Sequence, residues 1–221
     1  MQNTNFEMIG CPSGYGFVSS EGAISFNGSS SNILQTNLQV PAGNMTLFLD
    51  AWASNVAASN RGMILSLMYP SSLPVPAGGT TDEILIENDI ATDPDRVYCG
   101  VFGRYASSTY FNNSFTFPGR FTIAITISEQ NGTYGSFDGS ALTLISSAIK
   151  NNTFDYYSRL QLGVRVAYAY SICKIYTAAF FPRVLTSDEL TLLRSSSLAG
   201  FTGVKALASG TSDNRADIYL V

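Results

Sequence analysis

The acids that could do chemistry in this chain are concentrated in one stretch, Asp82-Glu83-Ile84-Leu85-Ile86-Glu87-Asn88-Asp89. There is no histidine, which removes the commonest general base and the usual partner of a serine or cysteine nucleophile. Catalytic zinc is disfavoured for the same reason, and Cys11, Cys99 and Cys173 lack ligand spacing. Carboxylate chemistry is what remains. If residues 83–89 form a strand, Glu83, Glu87 and Asp89 share a face, but Glu83 and Glu87 then lie about 13 Å apart at ~3.3 Å per residue. A retaining glycosidase needs carboxyls about 5 Å apart and an inverting one roughly 6.5–9.5 Å. The spacing favours a solvated strand face over a hydrolase, and no catalytic residue is expected.

The same acids suit a hard cation better. Asp82, Asp89, Asp93 and Asp95, with Asn88 and loop carbonyls, offer the oxygen ligands that Ca²⁺ takes, although no defined ligand loop of the EF-hand kind is present. No other cofactor is required. Sugar binding would use aromatic faces on pyranose rings, with amides and carboxylates on the hydroxyls. Two clusters have that chemistry: Tyr105, Tyr110, Phe111, Asn112 and Asn113, then Asn151, Asn152, Asp155, Tyr156 and Tyr157. Aromatics in a β protein also serve cores and subunit contacts, and Tyr168 and Tyr170 fit the latter.

These residues need a scaffold, and the composition points to strands. With 221 residues the chain is long enough for one all-β sandwich. Only 13% of residues are charged, which suits short strands joined by polar turns. The net charge of -4, with no basic cluster, excludes the electrostatic footprint of a nucleic-acid binder. No apolar run reaches membrane-spanning length, and residues 1–5 lack the pattern of a secretory signal, so the expectation is assembly in a host cytoplasm or, if a signal has been removed, an extracellular or cell-surface location. The odd cysteine count implies no disulfide framework.

Residues 1–20 read as an irregular arm. Strands are expected at 23–26, 31–35, 46–53 with Trp52 in the core, 63–69, 121–127, 133–137, 141–145, 159–164 and 172–181. Asn131-Gly132 and Asp138-Gly139 mark turns of a three-stranded meander. A long loop is expected where Pro70, Pro74, Pro76 and Gly78-Gly79 break the pattern. Thr186 and Glu189 form a capping box that opens one helix, with a stripe at Leu190, Leu192 and Leu193 lying across a sheet edge and a stop at Ser195-Ser196-Ser197. Residues 204–208 and 216–221 flank a candidate terminal hairpin.

The order of these features resembles the concanavalin A-like jelly roll, in its laminin G-like branch. Ala23-Ile24-Ser25-Phe26-Asn27-Gly28 resembles that family's opening strand, and 46–53 its Trp-bearing strand. Phe137-Asp138-Gly139 resembles the family's Asp-Gly turn, and 159–163 with 180–190 its closing elements. Asn27 stands where Asp is usual, and Pro118-Gly119-Arg120 where a Trp-His pair is common. The resemblance implies an antiparallel two-sheet sandwich with one short helix over residues 21–200, and a docking segment at 201–221. It also implies a domain type that sometimes holds Ca²⁺.

The expected function is a non-enzymatic structural or adhesion protein of a virion, such as a tailed phage, or of another surface. Its partners would be other assembly subunits, further copies of itself and cell-surface glycans, without nucleic acid or membrane insertion. A dedicated lectin and a carboxylate glycosidase are the alternatives.

Overall fold

A computed structural model describes residues 23–28, 34–36, 40–41, 43–54, 62–68, 83–88, 96–102, 110–147, 156–157, 159–165 and 169–198. Along them run β1 (Ile24–Asn27), β2 (Leu34–Thr36), β3 (Val40–Pro41), β4 (Met45–Ala53), β5 (Gly62–Met68), β6 (Glu83–Asn88), β7 (Arg96–Phe102) and β8 (Tyr110–Ser114). There follow β9 (Gly119–Ser128), β10 (Thr133–Phe137), β11 (Leu142–Ser146), β12 (Tyr156–Tyr157), β13 (Arg159–Leu162), β14 (Val164–Arg165), β15 (Ala169–Tyr170), β16 (Ile172–Phe181) and the helix α1 (Ser187–Leu198). The arm at 1–20 and the segment at 201–221 lie outside the described residues.

Two antiparallel sheets form the body, ordered β1-β16-β4-β9-β10-β11 and β2-β13-β5-β6-β7-β8. The expected two-sheet sandwich with one helix is what the chain builds. Strand alternation explains the core between the sheets. Met45, Leu47, Leu49, Ala51 and Ala53 of β4 point inward with Phe121, Ile123, Ile125 and Ile127 of β9. They meet Ile84 and Ile86 of β6 and Val97, Cys99 and Val101 of β7 from the opposite sheet. The meander β9-β10-β11 forms in regular register, and Gly132 and Gly139 take the positive φ angles of 57° and 93° that its turns require.

The other face of the first sheet is sealed by α1. Phe48, Ala124, Phe137 and Ala179 pack beneath Leu185, Leu190 and Leu193, so the helix covers a sheet face and not an edge. The amide of Thr186 donates to Glu189 Oε2 at 2.9 Å and the amide of Glu189 donates to Thr186 Oγ1 at 3.3 Å, which completes the capping box. Thr46 Oγ1 accepts from the Leu185 amide and donates to the Arg183 carbonyl, both at 2.9 Å, tying β4 to the helix entry.

Three details differ from the sequence reading. Leu192 is 51% exposed, because the buried positions of α1 run 190, 193 and 197 and the last is a serine. The serine run lies inside the helix: Ser195 Oγ donates to the Thr191 carbonyl, and Ser197 points into the sheet. Trp52 belongs to the outward parity of β4 and is only half-buried, opposite Arg120 and Lys174.

That outward parity also carries Asp50, which is 0% exposed. Arg120 grips it with Nε to Oδ1 at 2.8 Å and Nη2 to Oδ2 at 2.7 Å. Ser197 Oγ donates to Asp50 Oδ2 at 2.6 Å, which leaves Ser197 to accept from Thr177 Oγ1 at 2.8 Å. A bulge between Ile175 and Thr177 sets Tyr176 out of register, and its ring stacks 4.0 Å from the Arg120 guanidinium.

Arg120→Ala leaves a carboxylate buried without its cation and is expected to cost about 3 kcal/mol, whereas Arg183→Ala at the exposed pair with Glu189 should cost under about 1 kcal/mol. Urea unfolding compares them, and equal losses would refute the distinction. The Arg183 hydrogen bonds, followed by that of the Thr186 amide, hold the Glu189 carboxyl down at about 2 from 4.5. A depressed folded-state value means that the cap contributes fully above pH 4.5 and is lost as pH falls toward 2. Glu189→Gln should therefore flatten the acid limb of the stability curve in that window, and an unchanged limb would contradict it.

Candidate functional site

With the helix sealing one outer face, the outer face of the second sheet is the broad surface left to consider. Ile84 and Ile86 of β6 point into the core, so Leu85 and Glu87 point away from it. Register places Met63 and Tyr98 on either side of Glu87, and Gln161, Ser66, Leu85 and Gly100 in a parallel row. One row of mixed polarity therefore crosses β5, β6 and β7, and the other crosses β13, β5, β6 and β7.

Burial on this face is high. Glu87 is 2% exposed, and Met63, Ser66, Leu85 and Gln161 are buried as well. Tyr98 alone among these is half-buried, so the row opens to solvent there. An ionised carboxylate is costly in such a place unless polar groups solvate it, and Glu87, Ser66, Tyr98 and Gln161 all engage in polar or ring interactions. The two buried acids thus differ in setting. Asp50 is consumed by Arg120 and Ser197 beneath the helix, whereas Glu87 sits beside a tyrosine that reaches solvent.

The sequence-predicted residues divide sharply. Phe111 is 7% exposed and meets Tyr134 edge-on at 5.7 Å, so its ring is spent between the sheets and unavailable to a sugar. Asn113 also turns inward, its Nδ2 donating to Ser136 Oγ at 3.3 Å. Asn88 is buried inside the sandwich, its Nδ2 donating to the Ser54 carbonyl at 3.0 Å, which removes it from the proposed cation ligands. Strand parity is the cause in each case, because all three lie on the inward side of β6 or β8.

Tyr105, Asn151, Asn152, Asp155, Asp82, Asp89, Asp93 and Asp95 lie outside the described residues, as do the side chains of Tyr110, Asn112, Tyr156, Tyr157 and Glu83. Among the described residues, no three acids, cysteines or histidines gather at metal-holding distance. The two free cysteines described are core groups: burial pushes the Cys99 thiol well up and the Cys173 thiol to about 12, both too high for a reactive thiolate. Ser66, Tyr98 and Gln161 were missed by the sequence reading. The bulge between Met63 and Leu65 interrupts the alternation that would have placed Ser66.

No family model matches the chain, and no curated protein matches it in sequence. Solved structures do match. The heptameric SAP-like pentraxin from Limulus polyphemus superposes with a TM-score of 0.59 at 12% identity, covering 78% of this chain and 81% of that one. The fold is a jelly-roll sandwich. The binding domain of botulinum neurotoxin serotype G gives 0.59 at 12% identity over 87% of this chain, and Trypanosoma rangeli sialidase in complex with sialic acid gives 0.59 at 13% over 82%. The match spans 47% of the toxin domain and 29% of the sialidase.

Phe111→Ala should cost about 3–5 kcal/mol of stability, as for a core aromatic. A melting temperature unchanged by this substitution would place the ring outside the core.

Proposed function

We propose that this chain is a non-enzymatic adhesion module that binds cell-surface carbohydrate, built on a laminin G-like jelly roll. We place it on a larger surface assembly such as a virus particle, docked to other subunits. The observation that carries the carbohydrate reading is half-buried Tyr98, which reaches solvent on the outer face of the second sheet with the buried Glu87 beside it in register. A sugar offers an apolar ring face to a tyrosine and hydroxyls to its phenol, while Glu87, Gln161 and Ser66 are buried behind it and would act only as a polar support.

Proteins of similar fold support the reading. One is described as a receptor binding domain, of botulinum neurotoxin type G, and another is the sialidase in complex with sialic acid. The absence of histidine throughout the chain favours binding over bond-breaking. Glu83 opens β6 and Glu87 follows four residues later, about 13 Å away along the strand, farther than a hydrolytic pair. Ca²⁺ held by Asp82, Asp89, Asp93 and Asp95 would be an auxiliary to such binding, as it would supply a cation for hydroxyl oxygens.

A glycan array with and without Ca²⁺ tests this. The unaltered chain should bind a defined subset of glycans and release no reducing sugar from them. Tyr98→Ala should weaken that binding about tenfold as the stacking ring is lost, and Glu87→Gln should weaken it less, since the buried carboxylate acts only through its neighbours. Their melting curves report any loss of folding separately. A flat array at high protein concentration would overturn the proposal.

A further inference from the structure

We propose that two copies of this chain pair edge to edge through β11, antiparallel about a two-fold axis at Leu144, extending the first sheet across both molecules. Three observations carry it. The first is position. β8, the last strand of the second sheet, packs over β10: Phe111 meets Tyr134, and Asn113 bonds Ser136. β11 therefore projects one strand beyond the sandwich, and among the described residues only β10 pairs with it.

The second is the direction of its backbone groups. The Ser147 amide donates to the Gly132 carbonyl at 2.8 Å, and the Asp138 amide donates to the Ala141 carbonyl at 3.2 Å. Positions 141 and 147 thus face β10, and by alternation so do Thr143 and Ile145. Leu142, Leu144 and Ser146 each turn an amide and a carbonyl to the open edge. An antiparallel copy centred on Leu144 places Leu142 opposite Ser146 and Leu144 opposite itself, so that every one of these groups finds a partner at an alpha-carbon separation of about 5.5 Å.

The third is side-chain chemistry. Ala141-Leu142-Thr143-Leu144-Ile145-Ser146-Ser147 contains no charge and no proline, and the register with β10 has no bulge. Edges that must stay single usually carry one of these guards. Leu144 is 57% exposed and lies flat over Gly135, where an added Cβ would meet its Cδ2 at 2.6 Å. Across the axis it would cover its own counterpart. A copy of this chain is the fitting occupant because the strand is self-complementary in hydrogen bonding and carries no charge to repel itself. Pairing would make a glycan-binding module bivalent, yet it does not depend on that reading.

Sedimentation velocity on the full chain, without glycan, tests the pairing. The unaltered chain should be dimeric at concentrations of about 10–100 µM, and L144K and L144E should each weaken self-association about tenfold or more by placing like charges face to face. An equimolar mixture of L144K and L144E should restore a dimer, since Lys then faces Glu. Melting curves matching the unaltered chain would show both variants folded, as expected for an exposed position. A monomeric unaltered chain overturns the proposal. So does a dimer that L144K leaves intact, or a mixture that stays monomeric.

Discussion

The arrangement of this sandwich depends on a carboxylate that has no water. Asp50 sits mid-strand in β4 on the face away from the core, enclosed by the helix above it. A buried acid must be paired and hydrogen-bonded, and the partners come from three separate elements. Arg120 opens β9, Ser197 comes from the last turn of α1, and Thr177 follows the bulge in β16. Each must be in place for the others to fit. The Arg120 side chain remains 34% exposed, so the pair keeps one wet end while its anion is dry. This registers the helix on the sheet more specifically than Leu190 and Leu193 could, because apolar contacts tolerate sliding and a bidentate ion pair does not.

That seal has a functional consequence. A sheet face covered by a helix cannot meet a ligand, and of the two rows on the outer face of the second sheet only Tyr98 reaches solvent. On the second sheet the chemistry is unlike the first: Glu87 has a tyrosine, an apolar methionine and a glutamine-serine row around it, with no arginine in register.

Much of this was legible in the sequence where one physical rule acted alone. Strict alternation made β9 readable, and the Asn-Gly and Asp-Gly dipeptides placed the meander turns, because positive φ has few solutions. Thr186 and Glu189 announced the helix start because capping is local. Legibility failed where two elements had to be known together. The burial of Ser197 and the exposure of Leu192 depend on which helix face meets Asp50. Bulges near Ile64 and Tyr176 shift parity without any composition signal, and they displaced Ser66 and Tyr176 from where alternation would put them. Phe111, Asn113 and Asn88 were chemically suited to a ligand and were lost to parity alone. Sequence-clustered polar and aromatic groups say what a segment could bind, and strand direction decides whether it does.

The low charge of the chain connects these features. A chain with only 13% charged residues has few lysines with which to guard its sheet edges. Ser, Thr and Asn keep such a surface wet without repelling a neighbour, and β11 shows the result: a five-residue strand, held by Ile145 against the core and by Leu142 against the helix-side cluster, whose far edge pairs with no strand among the described residues. An overhanging strand of this kind would fray if nothing stiffened it. Here Asp138 Oδ1 accepts from the Ser140 and Ala141 amides at 2.8 and 2.9 Å, fixing one end, and the Ser147 amide is bonded to the opposite hairpin at the other. Both ends are pinned while the middle stays open. Such order lowers the entropy lost on pairing, since the backbone is already extended before a partner strand arrives.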